Sequence, residues 1–345
     1  MALGIVLSAG ASAPAADLPV FKAKGPERGL FRWTLEAGAF WTGGDPIPFN
    51  TGDIFGRGIG FPFLLLPVII PGGEDPNVRP QVGWDAAIGF DYRFPGTPWH
   101  INGQFRYGEA KGSKNVATSF SLIQPPPEQS FSFSSATDAN LKERHWIVDF
   151  GAGYDIFTGA SNRPALLQAN FGMRIAEIKA TNRVNTSGSL FASDGVDTTT
   201  ATFSQADKDI RSFLGLGPRV GVEGAIPLWG AFGFDYAANV AVLWGHTKIN
   251  FDSTSSFSAV VTGTDPAVIS ASGLTSGSQW SQTAAVWNAD VQVGLSYWFM
   301  PSMKVGVSYR LDAFLAPLRA FPSQDPAVID RYYHGPKVTL TGVFN

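Results

Sequence analysis

Cysteine is absent from all 345 residues, which excludes a disulfide framework, a thiolate metal site and a cysteine nucleophile together. Charge is scarce as well. Asp, Glu, Lys and Arg make up only 15% of the chain, and a net charge of −3 gives no basic footprint for nucleic acid. Long hydrophobic runs are missing too: although 44% of the residues are hydrophobic, nothing approaches the roughly 18 uninterrupted apolar residues that a membrane-crossing helix needs. The four histidines, His100, His145, His246 and His334, are scattered without paired ligand spacing, so no metal and no cofactor is expected. What the chain has in quantity is glycine, at 39 residues, and aromatic side chains, at 13%. Weak charge, many rings and no spanning helix fit a membrane barrel better than a soluble enzyme, with a secreted sandwich as the competing class.

The apolar residues are spaced by two. In Phe213–Trp244, Leu214, Leu216, Val220 and Val222 alternate with Gly215, Gly217, Arg219, Gly221 and Glu223. After a break at Ala225–Gly230, Phe232, Phe234, Tyr236, Ala238, Val240, Val242 and Trp244 alternate with small or polar residues. Period two is a strand signal, and a helical wheel would scatter the same residues all round. The same alternation predicts strands over Phe31–Trp41, Val82–Phe94, from Trp99 to Tyr107, His145–Ile156, Leu167–Ile175, Trp287–Phe299, Met303–Asp312 and Lys337–Phe344. Tight turns alternate with long segments at 42–80, 109–143, 181–209 and 250–282 and a last one leading to Lys337, which read as loops. Rings near the strand ends, such as Trp84 and Tyr92 or Trp99 and Tyr107, stand about as far apart as the two interfaces of a bilayer.

The expected fold is therefore all-β: a closed antiparallel transmembrane β-barrel of about ten strands (about 8–12), with short periplasmic turns and long extracellular loops. Closure follows from the backbone, because each unpaired amide in hydrocarbon costs several kcal/mol. Pro218 lacks the amide its ladder needs, so a bulge or a frayed bond is expected there. Gly215, Gly217 and Gly221 superficially match a dinucleotide loop, but alternation continues past them where a helix should begin. Residues 1–16 read as the back half of a secretion signal without its basic opening, 17–29 as a periplasmic N-terminal segment and 30–345 as the barrel. The most apolar run, Phe61–Ile70, is too short to span and is broken by Pro62 and Pro67. It reads as a loop with its own small core, or as a contact with a second copy or a neighbouring surface protein.

The residues opposite the apolar stripe are the candidate lumen lining: Arg32, Glu36, Asp85, Arg93, Arg106, Asp149, Arg174, Arg219, Glu223, Asp235, Asp290 and Arg310. They either line a narrow hydrated path or pair with one another and fill the interior, since buried charges persist only when paired. Small inward residues such as Gly215, Gly217, Gly221, Gly233, Ala237 and Ala241 argue for some free space. An outer-membrane protease or acyl hydrolase would need acids and a histidine at the rim. Asp207, Asp209 and His246 are the nearest set, nothing in the sequence ties them together, and no enzymatic activity is expected.

Four segments carry a family resemblance: FLGLGPRVGVEG at Phe213–Gly224, WNADVQVGLSYWF at Trp287–Phe299, VGVSYRLDAF at Val305–Phe314 and HGPKVTLTGVF at His334–Phe344. Together they resemble the pore-forming outer-membrane proteins related to the Legionella major outer membrane protein. Ala15–Pro26, AADLPVFKAKGP, is similar to mature N-termini of alphaproteobacterial outer-membrane proteins. One departure is Asn345 after the terminal Phe344. The resemblance implies a Gram-negative outer-membrane location, contact with outer-membrane lipid and lipopolysaccharide, and pore activity. The functional expectation is a small passive pore for ions or small solutes. Its rival is a structural or adhesive surface barrel with a closed lumen, acting through its long extracellular loops. Substituting the lipid-facing Val291 with Arg should impair assembly, whereas Gln292→Arg should be tolerated.

Overall fold

In the computed structural model, residues 28–47, 78–124, 129–157, 167–264, 266–319 and 328–344 are described. The expected leader, the run Phe61–Ile70 and Asn345 lie outside them. Ten strands follow in order: β1 Leu30–Gly44, β2 Gly83–Arg93, β3 Trp99–Gln124, β4 Gln129–Phe157, β5 Leu167–Ser193, β6 Thr198–Pro227, β7 Phe232–Thr262, β8 Ala267–Met300, β9 Met303–Arg319 and β10 Val328–Phe344. Each pairs antiparallel with its neighbours in sequence, and β10 returns to β1 with Phe31 opposite Phe344 and Leu35 opposite Leu340. The sheet is a closed barrel, so no edge amide faces lipid along the span.

The outward phase is the one the alternation predicts. Leu35, Ile88, Phe105, Phe150, Leu216, Val240, Val291 and Val307 all stand exposed on the outer wall, where hydrocarbon covers them. Rings close this band at both ends. Trp99 meets Tyr154 at 5.1 Å and Phe232 meets Tyr297 at 4.9 Å on the side of the chain termini, and Trp84 meets Tyr107 at 5.6 Å on the other. At Pro218 the bond is frayed and there is no bulge: the ladder to β7 runs to Leu216, passes over two residues and resumes at Arg219 in the same register. Gly217 beside it has no room for a side chain, since a Cβ there would collide with the Val242 carbonyl oxygen.

Most of the segments at 109–143, 181–209 and 250–282, expected as loops, are strand. β3 to β8 are 26 to 34 residues long, against the 9–11 residues or so that a tilted strand needs to cross. Six strands thus rise together as a curved sheet with roughly 50 Å of strand beyond the bilayer, while β1, β2, β9 and β10 stop near its surface. The Ser/Thr composition that reads as loop is what knits this sheet. Ser134 and Ser189 Oγ atoms meet at 2.9 Å, Thr137 and Thr186 Oγ1 at 3.1 Å, and Ser204 and Ser256 Oγ at 2.8 Å, each directly across the ladder. An apolar patch of Leu190, Ala201 and Ala259, with Phe131, Ala192 and Phe257 against it, covers part of the inner face.

Candidate functional site

All twelve candidate residues point to the inside of the barrel, and the structure joins them into ion pairs at three levels. Near the turns, Arg32 bridges Asp91 and Glu223 at 3.3 Å each, and Lys304 holds Asp235 at 2.6 Å. Arg93 donates to Asp155 and, at 2.7 Å, to Gln168. His100 is enclosed between Asp91 and Asp155, at 3.5 and 3.6 Å.

One level deeper, Arg310 donates to Glu36 at 2.5 Å and to the Gln292 carbonyl oxygen at 2.6 Å, while the Gln292 amide donates back to Glu36 at 2.9 Å. Gln292 is therefore a bonded member of this cluster, and an added guanidinium there would face Arg310. The expectation that Gln292→Arg is simply tolerated is corrected on that ground.

The central layer is the densest. Arg174, 0% exposed, lays its fork on Asp149 at 2.6 and 2.7 Å and reaches Asp290 at 2.6 Å. Arg219 holds Asp149 at 3.0 Å, and Arg106 holds Asp312 at 2.8 Å. Lys337 bonds Asp85 at 2.5 Å. Three arginines thus meet three aspartates from β3, β4, β5, β6, β8 and β9. Low-dielectric surroundings make each pair depend on the others, because any one left alone would be a buried unpaired charge.

Above this layer the inward phase turns apolar. Phe40, Ile147, Ile178, Phe213, Leu243, Val286, Phe314, Leu318 and Ile329 form one buried cluster with Tyr333. Phe213 and Phe314 are 0% exposed and Phe40 is 1% exposed. Phe40 packs edge-on to Tyr333 at 5.7 Å, and His145 stacks on Tyr333 at 4.3 Å. Arg331 pairs with Glu143, and Arg211 with Asp209 at 2.6 Å, on the far side of the cluster. This plug was not singled out from the sequence. Its signal was present: Phe40, Ile147, Phe213, Leu243, Val286 and Phe314 all sit in the phase of the charged lumen residues.

The turn-side half of the lumen holds a cavity of about 210 Å³, lined by Arg32, Glu36, Gln104, Glu223, Asp235 and Arg310, among others. Of the small inward residues, Ala237 contributes to its wall. Gly215 does not, being covered by the Phe213 ring, and Ala241 belongs to the plug. Asp207 and Asp209 are not brought to His246: both are buried on the inner face, whereas His246 is exposed on the outer one.

Residues 70–322 match the family model of the Legionella pneumophila major outer membrane protein precursor. No curated protein matches the chain. Solved structures similar to it include a monoaromatic hydrocarbon channel, the TodX deltaS2 mutant, at 7% identity over 94% of this chain and 91% of that one, with a TM-score of 0.26. The toluene transporter TbuX of Ralstonia pickettii follows at 8% identity, 94% and 90% coverage and a TM-score of 0.23. The translocator domain of the autotransporter NalP from Neisseria meningitidis has 8% identity, 93% and 89% coverage and a TM-score of 0.23. Superpositions this loose add nothing to the strand ladder, which carries the fold by itself. The family match covers well over half of the chain, which therefore belongs to the Legionella major outer membrane protein family and is a bacterial outer-membrane β-barrel.

Proposed function

We propose that the protein is a surface-presenting barrel with a closed lumen, whose working part is the six-stranded sheet that β3 to β8 raise outside the membrane. The observation that carries this reading is the apolar plug, centred on Phe40, Phe213 and Phe314, stacked on the Arg106–Arg174–Arg219 ion-pair layer. A hydrated ion would have to cross both layers. Ten strands enclose little more than side chains can fill, and at the plug and the ion-pair layer side chains fill it. The open-pore reading keeps one observation in its favour, the turn-side cavity of about 210 Å³, which would serve as a vestibule if the plug moved.

Conductance of the purified protein in planar bilayers separates the two. The wild type is expected to show no discrete steps above background, and Phe213→Ala with Phe314→Ala is expected to introduce small ones by emptying the plug. Discrete steps from the wild-type protein would overturn the closed-lumen reading and establish the pore.

A further inference from the structure

The outer face of the barrel carries cations where its ladder should disfavour them. Just beyond the aromatic ring on the extracellular side, Lys111 lies directly opposite Lys142, Arg144 opposite Lys179, and Arg183 opposite Lys208. Like charges directly across a ladder are destabilising. The first pair is held by Glu109, which reaches Lys111 at 3.2 Å and Lys142 at 2.9 Å; in the other two pairs an acid stands across the ladder from one cation only, Glu109 from Arg144 and Asp252 from Lys208. Among the described residues, Arg144, Lys179, Arg183 and Lys208 make no ion pair. The Arg144 Nε is buried and has no hydrogen-bond partner. Across β3 to β6 at this level the outward phase holds Lys111, Lys142, Arg144, Lys179, Arg183 and Lys208 against Glu109, Asp138 and Glu177, an excess of cations in a chain whose net charge is −3.

Height says what would compensate it. Arg144 stands two positions beyond the outward-facing Trp146, whose indole N–H donates to Glu177 at 2.5 Å, and directly opposite Glu109, two positions beyond Tyr107. Tyr107 pairs with Trp84 at the edge of the apolar band. Rings of this kind sit at the headgroup level, so the cations begin where the polar heads of the outer leaflet begin.

We propose that the outer face of β3 to β6, centred on Arg144, Lys179 and Arg183, binds the phosphate groups of outer-leaflet lipopolysaccharide. Guanidinium forks and ammonium groups both donate to phosphate oxygens, the former bidentately. Each cation near an anionic membrane surface adds to the attraction, and a bound phosphate between opposed cations turns their repulsion into a shared contact. The proposal is independent of whether the lumen is open, because the site is on the other side of the wall.

The test uses the purified full chain in detergent, titrated with lipopolysaccharide and with the same glycolipid stripped of phosphate. Neutralising the centre by Arg144→Gln, Lys179→Gln and Arg183→Gln should weaken binding of the phosphorylated form by roughly tenfold to a hundredfold and leave the stripped form unaffected. The charge-preserving set Arg144→Lys, Lys179→Arg and Arg183→Lys should retain most of the affinity. Without glycolipid, the neutral variant should melt no lower than wild type, since it has lost only a repulsion. Unchanged affinity in the neutral variant would overturn the proposal, and so would an equal loss towards the stripped form. Inorganic phosphate binding alone, and displacing the glycolipid at millimolar levels, would show a free-phosphate site instead and overturn the lipid assignment. Should the triple variant fail to fold, Arg183→Gln with Lys208→Gln, farther from the bilayer, is read by the same criteria.

Discussion

Arg174→Met is expected to destabilise the barrel by about 3–5 kcal/mol, the cost of leaving buried carboxylates without their cation. Arg174 has no exposure, and its guanidinium serves Asp149 and Asp290 together, joining β4, β5 and β8 across the lumen. Methionine fills much of the same volume, so the loss reports charge more than packing. Without Arg174, Asp149 keeps Arg219 at 3.0 Å, but Asp290 keeps only Arg106, at 3.7 Å, and the Asn239 amide. Adding Asp290→Asn restores equal numbers of the two charges in the layer, and the double variant should recover roughly half of the loss. A double-mutant cycle read by denaturant unfolding in detergent measures that coupling. Additive effects of the two substitutions would mean that the layer is not a connected network. The surface pair Lys111–Glu109, by contrast, should contribute less than about 1 kcal/mol.

What the sequence made legible was the part of the structure that lipid touches. Hydrocarbon demands apolar residues at every second position and tolerates few exceptions, so Leu214, Leu216, Val220 and Val222 declare their face without any knowledge of their neighbours. All ten membrane-crossing segments were found this way, and closure followed from the chemistry of the unpaired amide. The strand ends beyond the bilayer were not legible. There the constraint relaxes, and Ser134, Thr137, Thr186 and Ser204 look like turn formers until their partners across the ladder are known. Side-chain hydroxyls that bond across strands leave no signature at a fixed sequence spacing, because the partner lies about 50 residues away.

The lumen was half legible for a related reason. Charged residues in the inward phase mark themselves, and all twelve proposed ones lie inside. Which of them pair is a matter of barrel cross-section: Arg174 meets Asp290 over a separation of 116 residues, and Arg310 meets Glu36 over 274. The plug escaped notice because Phe213, Leu243 and Phe314 are apolar on both readings, and an apolar residue next to an apolar stripe looks like part of it. Only strict counting by two places Phe213 in the phase of Arg219 and Phe314 in the phase of Arg310.

Val291→Arg tests the assignment of faces directly. Val291 is 47% exposed on β8, opposite Ala238 on β7 and Leu311 on β9, roughly midway between the Tyr297 and Trp287 rings. A cation at that depth has no water and no carboxylate on the outer wall, and the expected cost is about 2–4 kcal/mol. Gln104→Arg places the same cation on the inner wall, where Gln104 borders the turn-side cavity and lies directly across the ladder from Asp149. It should cost much less than Val291→Arg, since the cavity admits water, although Arg174 and Arg219 already hold Asp149. Gln292→Arg should fall between the two, because Glu36 would attract the new charge and Arg310 would repel it. Refolding yield into lipid vesicles, followed by the heat-sensitive electrophoretic shift of a folded barrel, ranks the three. If Val291→Arg and Gln104→Arg were equally tolerated, every second side chain of β8 would not be facing hydrocarbon, and the wall would have to be assigned the other way round.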